Sequence, residues 1–113
     1  MTLDDAISYD VADTFWRRAA GLIGRAPLPP GRALYFPRCA CVHTFGMRFA
    51  LDLVFVRADG TVDAVRRGVR PGRIAWGTRR SAGVFELTAG ALPPDAPRPG
   101  ERLTWSPRSP GRS

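Results

Sequence analysis

The sequence contains no lysine, only one histidine, and no long apolar run. No segment approaches the roughly 18 to 20 consecutive apolar residues that cross a bilayer. The first ten residues are acidic, whereas a secretory signal begins basic and then turns apolar. A length of 113 residues allows one domain with a single modest core. We therefore expect a soluble cytoplasmic protein with no membrane span.

The charge is strongly one-sided, because all 17 basic residues are arginine and only 10 residues are acidic. A net charge of +7 invites a nucleic-acid hypothesis. Abundant alanine, glycine and proline beside the arginine instead indicate a general composition bias. Residues 66–80 carry six arginines, no acid and Trp76, so phosphate contacts with a base stacked on Trp76 remain an alternative. We favour a solvated loop there, and expect nucleic acid not to be a partner.

Periodicity and turn residues predict a mainly β fold with one short N-terminal helix. Asp13 or Thr14 can cap that helix, and Gly24 can end it. The expected architecture is a small sandwich, jelly-roll-like, or a partly closed barrel. We expect one domain over residues 1–105 and a disordered tail over 106–113. The first predicted strand is centred on Ile7 to Val11. The others cover residues 33–36, 39–47, 50–57, 61–67, 83–88 and 102–105, with an irregular loop before residue 83.

The clearest local signal is a hairpin around Asp59-Gly60, a dipeptide that favours a tight turn. A two-residue loop places Phe55 opposite Ala64 and Asp52 opposite Arg67. The first strand is apolar on both faces, which indicates a central strand covered on both sides. Asp52 inside this run needs a partner, because an unpaired buried carboxylate costs several kcal/mol. Arg67 is the structural candidate.

The stretch CACVHTFGM, residues 39–47, contains both cysteines and the only histidine. In an extended strand Cys39, Cys41, His43, Phe45 and Met47 face one way. Thiolate, imidazole and thioether groups together suit a soft metal. Same-face neighbours nearly 7 Å apart cannot converge on one ion without a bend, which Gly46 could supply. We therefore predict no resident metal and no cofactor.

A thiol nucleophile activated by His43 is a second alternative for the same stretch. No oxyanion-hole signature accompanies it, so we predict no catalytic residues and lean against an enzyme. Two cysteines one residue apart are poorly placed for a disulfide and are expected to be reduced. A buried or half-buried histidine with partners from the backbone or Thr44 is the simpler interpretation.

A family resemblance extends over residues 5–105. Arg18, Gly21, Leu22 and Arg25 resemble an Arg-x-x-Gly-Leu-x-x-Arg signature, and VHTFGMRFALDLVFV, Asp59-Gly60, VFELTAG and PGERL follow in order. Together these blocks resemble the domain of unknown function 192 family. Ala50 and Glu101 depart from its usual proline and aspartate. The resemblance implies a compact β fold of jelly-roll or sandwich type and implies no reaction.

The candidate site is a pocket formed by polar residues from several segments. We expect His43, Met47, Asp52 and Glu86 at its mouth. Arg18 and Arg25, seven residues apart on one side of the helix, supply positive charge for a ligand or neutralise the two acids. The most economical function is a non-enzymatic accessory module that binds an unidentified small molecule or protein. The alternatives are a metal- or thiol-dependent activity at Cys39, Cys41 and His43, and arginine-mediated nucleic-acid binding.

Overall fold

The computed structural model describes residues 7–11 and 27–107, and this part of the chain is built from strands. The helix expected from Asp13 or Thr14 to Gly24 lies outside the described residues. The strands are β1 (Ser8–Val11), β2 (Arg32–Pro37), β3 (Cys41–His43), β4 (Leu51–Val56), β5 (Val62–Val69), β6 (Ile74–Trp76), β7 (Gly83–Thr88) and β8 (Ser106–Pro107). The mainly β class predicted from the sequence is confirmed.

Six strands form the main sheet in the order β5-β4-β7-β2-β1-β8, and β3 pairs with β6 in a separate two-stranded sheet. Strand β1 runs parallel to β2 and β8, and the other pairs are antiparallel. The two edge strands of the main sheet, β5 and β8, do not pair with each other. In the described part of the chain the sheets are therefore open and sandwich-like, and not closed into a barrel.

Strand β4 divides the core into two clusters, because its side chains alternate between the faces of the sheet. Val54 and Val56 pack on one face in a cluster that includes Phe85 and Trp105. Leu51, Leu53 and Phe55 pack on the other face beneath β3 and β6. Every residue of β4 is buried. The prediction of a central strand covered on both sides is confirmed.

The hairpin between β4 and β5 is longer at its tip than a two-residue turn. The amide of Arg57 donates to Thr61 O at 2.8 Å, and the amide of Gly60 donates to Arg57 O at 3.0 Å. Gly60 has φ 88°, which is the left-handed residue of a three-residue loop. A register shift between Val56 and Phe55 restores the predicted pairing of Phe55 with Ala64.

Three other local predictions differ from the structure. The loop expected before residue 83 contains β6, a short strand whose only apolar inward residue is Ala75. The strand expected over 102–105 is reduced to one bridge between Thr61 and Arg102. Ser106–Pro107, expected in the tail, form β8 beside β1. Each element depends on pairing with a distant strand, which local periodicity does not report.

In the part of the chain that the structure describes, nothing helical combines the length and apolar character that a bilayer crossing needs.

Candidate functional site

Glu86 is a carboxyl group in the middle of the main sheet. On β7 it pairs with Leu34 of β2 on one side and Leu53 of β4 on the other. Both leucines are almost fully buried, and Glu86 itself is 7% exposed. Among the described residues, its carboxyl group has no hydrogen bond or ion pair. Burial raises the pKa of Glu86 to about 7, because the charged form loses its hydration.

Glu86 lines a cavity of about 240 Å³ between the main sheet and the segment that begins at Cys39. We call this space the Glu86 cavity. It is mostly apolar, and one side is the face of the main sheet that carries Leu53. A mainly apolar wall with one polar group is typical of small-molecule sites. The lining residues are Phe36, Cys39, Cys41, Val42, His43, Phe45, Met47, Leu51 and Glu86.

The segment from residue 39 to 47 lines the cavity because its strand ends early. Only Cys41–His43 are paired, with β6, and Val42 packs inward against the core. The chain then turns at Gly46, which has φ 83°, and the amide of Met47 donates to Thr44 O at 3.2 Å. A turn of this kind favours glycine, because other residues rarely adopt positive φ. The bend brings Met47 to the same cavity as His43.

His43 is exposed, so the expectation of a buried or half-buried histidine is wrong. Its ring stacks on Phe45 with centroids 5.2 Å apart and planes at 24°. The hydroxyl group of Thr44, expected as its partner, donates instead to Arg70 O at 2.7 Å. His43 therefore stands at the cavity mouth, where its ring is accessible to solvent and to a ligand.

Cys39 and Cys41 are free and half-buried. The thiol of Cys39 donates to Cys41 O at 3.0 Å. Over residues 7–11 and 27–107, no hydrogen bond joins either thiol to His43, and no three His, Cys, Asp or Glu side chains are grouped to hold a metal. The described geometry therefore gives no specific support to a metal-dependent or thiol-dependent reaction.

Asp52 does not share the cavity. Leu53 pairs with Glu86 and faces the same side of the sheet. Asp52, which precedes Leu53 on β4, therefore points to the opposite face. Its Oδ1 accepts from the Gly68 amide at 2.9 Å, and its Oδ2 accepts from the Gly90 amide at 3.0 Å and the Leu92 amide at 3.5 Å. Asp52 thus ties β5 to the turn after β7.

The expected Asp52–Arg67 ion pair is wrong. A register shift between Leu51 and Leu53 places an extra residue on β5, and Gly68 there has φ 63°. This bulge directs the Gly68 amide, not the Arg67 guanidinium, to Asp52. Arg67 is exposed and donates to Ala96 O at 3.2 Å.

Of the six candidate pocket residues, His43, Met47 and Glu86 lie around one cavity. Arg18 and Arg25 lie outside the described residues. Phe45 was placed on the cavity side by strand alternation. Phe36 and Leu51 were not anticipated, because they reach the cavity through the pairing of β2 and β4 with β7.

The family model of DUF192, described as "Uncharacterized ACR", matches residues 1–105. The chain belongs to the DUF192 family. A protein of unknown function from Novosphingobium aromaticivorans DSM 12444 is 22% identical, with a TM-score of 0.71 over 88% of this chain and 75% of that one. A "putative transcription regulator" from Sinorhizobium meliloti 1021 is 26% identical, with a TM-score of 0.65 over 85% of this chain and 78% of that one. No curated protein is significantly similar to the chain.

Family membership confirms the resemblance noted in the sequence, and the similar structures confirm its compact β fold. This DUF192 chain is a small β domain. Its likeness to the Novosphingobium structure concerns the fold alone. The chemistry of this chain therefore has to be argued from its own cavity.

Proposed function

We propose that this DUF192 protein is a non-enzymatic binding module whose Glu86 cavity holds a small, largely apolar organic molecule with one hydrogen-bonding group. The observation that carries the proposal is the carboxyl group of Glu86, which lies on a largely buried side chain, faces a cavity and has no partner among the described residues. No fully buried side-chain oxygen or nitrogen of these residues lacks a hydrogen-bond partner, so the unpaired Glu86 oxygens are the ones that solvent reaches from the cavity. A ligand that enters the cavity can replace that solvent and hydrogen-bond the carboxyl group.

The volume and lining of the cavity define the ligand. A space of about 240 Å³ lies just below the roughly 300 to 1,000 Å³ of pockets for drug-sized molecules, so the ligand is small. Phe36, Leu51 and Met47 favour an apolar body. Exposed His43 and Phe45 stand at the mouth and can cover a flat ring.

The protonation state of Glu86 defines the polar group. With its pKa raised to about 7 by burial, Glu86 is present in both forms near neutral pH. Its protonated form donates to a carbonyl oxygen, and its ionised form accepts from an N–H group. A primary amide satisfies both forms, whereas an ammonium group suits only the ionised form and a carboxylate only the protonated one.

Three probes of one size test this ligand class: benzamide, benzylamine and benzoate. Binding is followed by NMR titration of ¹⁵N-labelled protein at about pH 5.5 and about pH 8.5, on either side of the Glu86 pKa. We expect benzamide to bind at both pH values, benzylamine to gain affinity at the higher pH, and benzoate to lose it. The shifted amides should belong to residues 39–47 and to β7.

Two variants separate the cavity from the rest of the surface. Met47→Trp narrows the cavity and should weaken binding of all three probes, whereas Val11→Trp adds the same ring at an exposed position outside it and should not. Glu86→Gln should remove the pH dependence of benzylamine and benzoate. If none of the probes shifts cavity amides, or if Met47→Trp binds them as well as the natural protein does, the proposal is wrong.

A cytoplasmic location is part of the same proposal. Free thiols at Cys39 and Cys41 persist in a reducing compartment.

A further inference from the structure

We propose that a second surface of this protein binds single-stranded nucleic acid by stacking a base on Trp76 and holding phosphates with Arg66, Arg70 and Arg73. These residues line an open groove of about 400 Å³ between β5 and β6, which we call the Trp76 groove. It is distinct from the Glu86 cavity, with which it shares no lining residue. The sequence alone favoured a solvated loop here, and the arrangement in space changes that interpretation.

The groove exposes large apolar side chains. Trp76 is 61% exposed and Ile74 is 50% exposed, whereas Trp105 is buried at 8%. Side chains alternate along β6, so Ala75 packs inward while Ile74 and Trp76 face outward. In the described structure β6 pairs only with β3. An indole ring on an edge strand presents a flat surface on which a base can stack.

The groove is also cationic and lacks local neutralising charge. The one ion pair among the described residues joins Arg57 to Asp63, which leaves Arg66, Arg70 and Arg73 without carboxylate partners in the described part of the chain. The sequence from 66 to 80 contains no acid. Three exposed guanidinium groups therefore face solvent along one groove, where they suit the phosphates of an anionic chain.

Hydrogen bonds fix the Arg66 side chain and the backbone of the loop between β5 and β6 before any ligand arrives. The Nε of Arg66 donates to Trp76 O at 3.1 Å, which keeps this guanidinium beside β6. Buried Thr44 donates to Arg70 O at 2.7 Å and accepts from the Arg73 amide at 2.9 Å. The side chain of Thr44, the residue that follows β3, thus fixes the loop between β5 and β6. A preorganised site loses less conformational entropy on binding.

The shape of the surface favours a nucleic-acid strand over a lipid surface. A membrane-binding surface buries a continuous apolar face in the lipid, whereas the shallow Trp76 groove exposes two large apolar side chains, Trp76 and Ile74, among three arginines. Planar guanidinium groups beside an indole ring offer phosphate contacts and base stacking side by side. A single strand is the appropriate form, because its bases are free to leave the stack and meet Trp76.

The test is fluorescence anisotropy of a labelled single-stranded oligothymidine, titrated with the full chain across a range of salt concentrations. Trp76→Ala should weaken binding by about fivefold to 150-fold, which is the 1 to 3 kcal/mol of one base stacked on an aromatic ring. The slope against salt should stay unchanged, since no charge is lost. Arg70→Gln/Arg73→Gln should lower that slope by about 1.4, at about 0.7 per phosphate on a single strand.

The matched control is Arg79→Gln/Arg80→Gln, which removes the same charge from exposed positions outside the groove. We expect this control to bind nearly as well as the natural protein, and a blunt-ended duplex to bind more weakly than the single strand. Circular dichroism confirms that every variant is folded. Equal losses in the two arginine pairs, an unaffected Trp76→Ala variant, or stronger association with phosphatidylserine vesicles than with the oligonucleotide would each overturn the proposal.

Discussion

Replacing Glu86 with glutamine tests how strongly burial perturbs this side chain. Glutamine keeps the shape of glutamate and removes its titration. In the folded protein Glu86 holds its proton up to about pH 7, whereas in the unfolded chain it releases it near its usual pKa of 4.5. Between these values the folded state binds more protons, so the free energy of unfolding falls as the pH rises. The variant lacks this contribution.

The expected magnitude follows from the shift in pKa. One pKa unit corresponds to about 1.4 kcal/mol, so a rise from 4.5 to about 7 gives about 3 to 4 kcal/mol at most. Below about pH 4.5 the natural protein and Glu86→Gln should therefore have similar stability. Above about pH 7 the variant should be more stable by up to about 3 to 4 kcal/mol. The whole difference should develop between these two pH values.

Urea unfolding at a series of pH values measures this difference, because titrating groups common to both proteins cancel. Asp95→Asn is the control, since it removes one carboxyl group from an exposed loop position and reports the effect of net charge alone. A difference between the natural protein and Glu86→Gln that stays constant from about pH 4.5 to about pH 8.5 would refute the reasoning. Burial would then not be what controls this carboxyl group.

Two further substitutions test the structural hydrogen bonds. Asp52→Asn turns an amide N–H toward the Gly68 or Gly90 amide, and it should lower the free energy of unfolding in urea by about 2 to 4 kcal/mol. Arg67→Met should not restore this stability. A coupling above about 0.5 kcal/mol between positions 52 and 67 would contradict the finding that Asp52 binds backbone amides. Thr44→Val leaves Arg70 O and the Arg73 amide without their partner and should cost about 1 to 3 kcal/mol. Unchanged hydrogen exchange at the Arg73 amide in this variant would show that the hydroxyl group does not hold the loop.

The hairpin shows how far a local signal extends. Asp59-Gly60 and two β-rich runs predicted its position, and Phe55 does pair with Ala64. The loop has one residue more than predicted, and a register shift between Val56 and Phe55 compensates for it. The second register shift, between Leu51 and Leu53, was not predicted, and it directs the Gly68 amide to Asp52. Dipeptide preferences predict a turn, whereas bulges depend on the twist and packing of the whole sheet.

The candidate site could likewise be predicted only in part from local sequence. Alternation along an extended stretch 39–47 predicts Cys39, Cys41, His43, Phe45 and Met47 on one side, and all five line the Glu86 cavity. The stretch is not one strand, however: only Cys41–His43 are paired, Val42 also lines the cavity, and the turn at Gly46 brings Met47 there. Asp52 was grouped with them on a different ground, as an acid inside an apolar run, without regard to the face of the sheet on which it lies. The face is decided by pairing across strands, where Leu53 stands beside Glu86 and Asp52 therefore points away.

By itself the sequence determined the β class, the family, the central strand β4 and the hairpin, because these depend on residues close together in the chain. Only the tertiary structure decided that Glu86 lies between Leu34 and Leu53 and that β6 exposes Trp76 beside three arginines. Burial and charge proximity arise from strands far apart in sequence. The desolvation of a carboxyl group and the electrostatics of a groove are therefore set by three-dimensional neighbours, which no local pattern specifies.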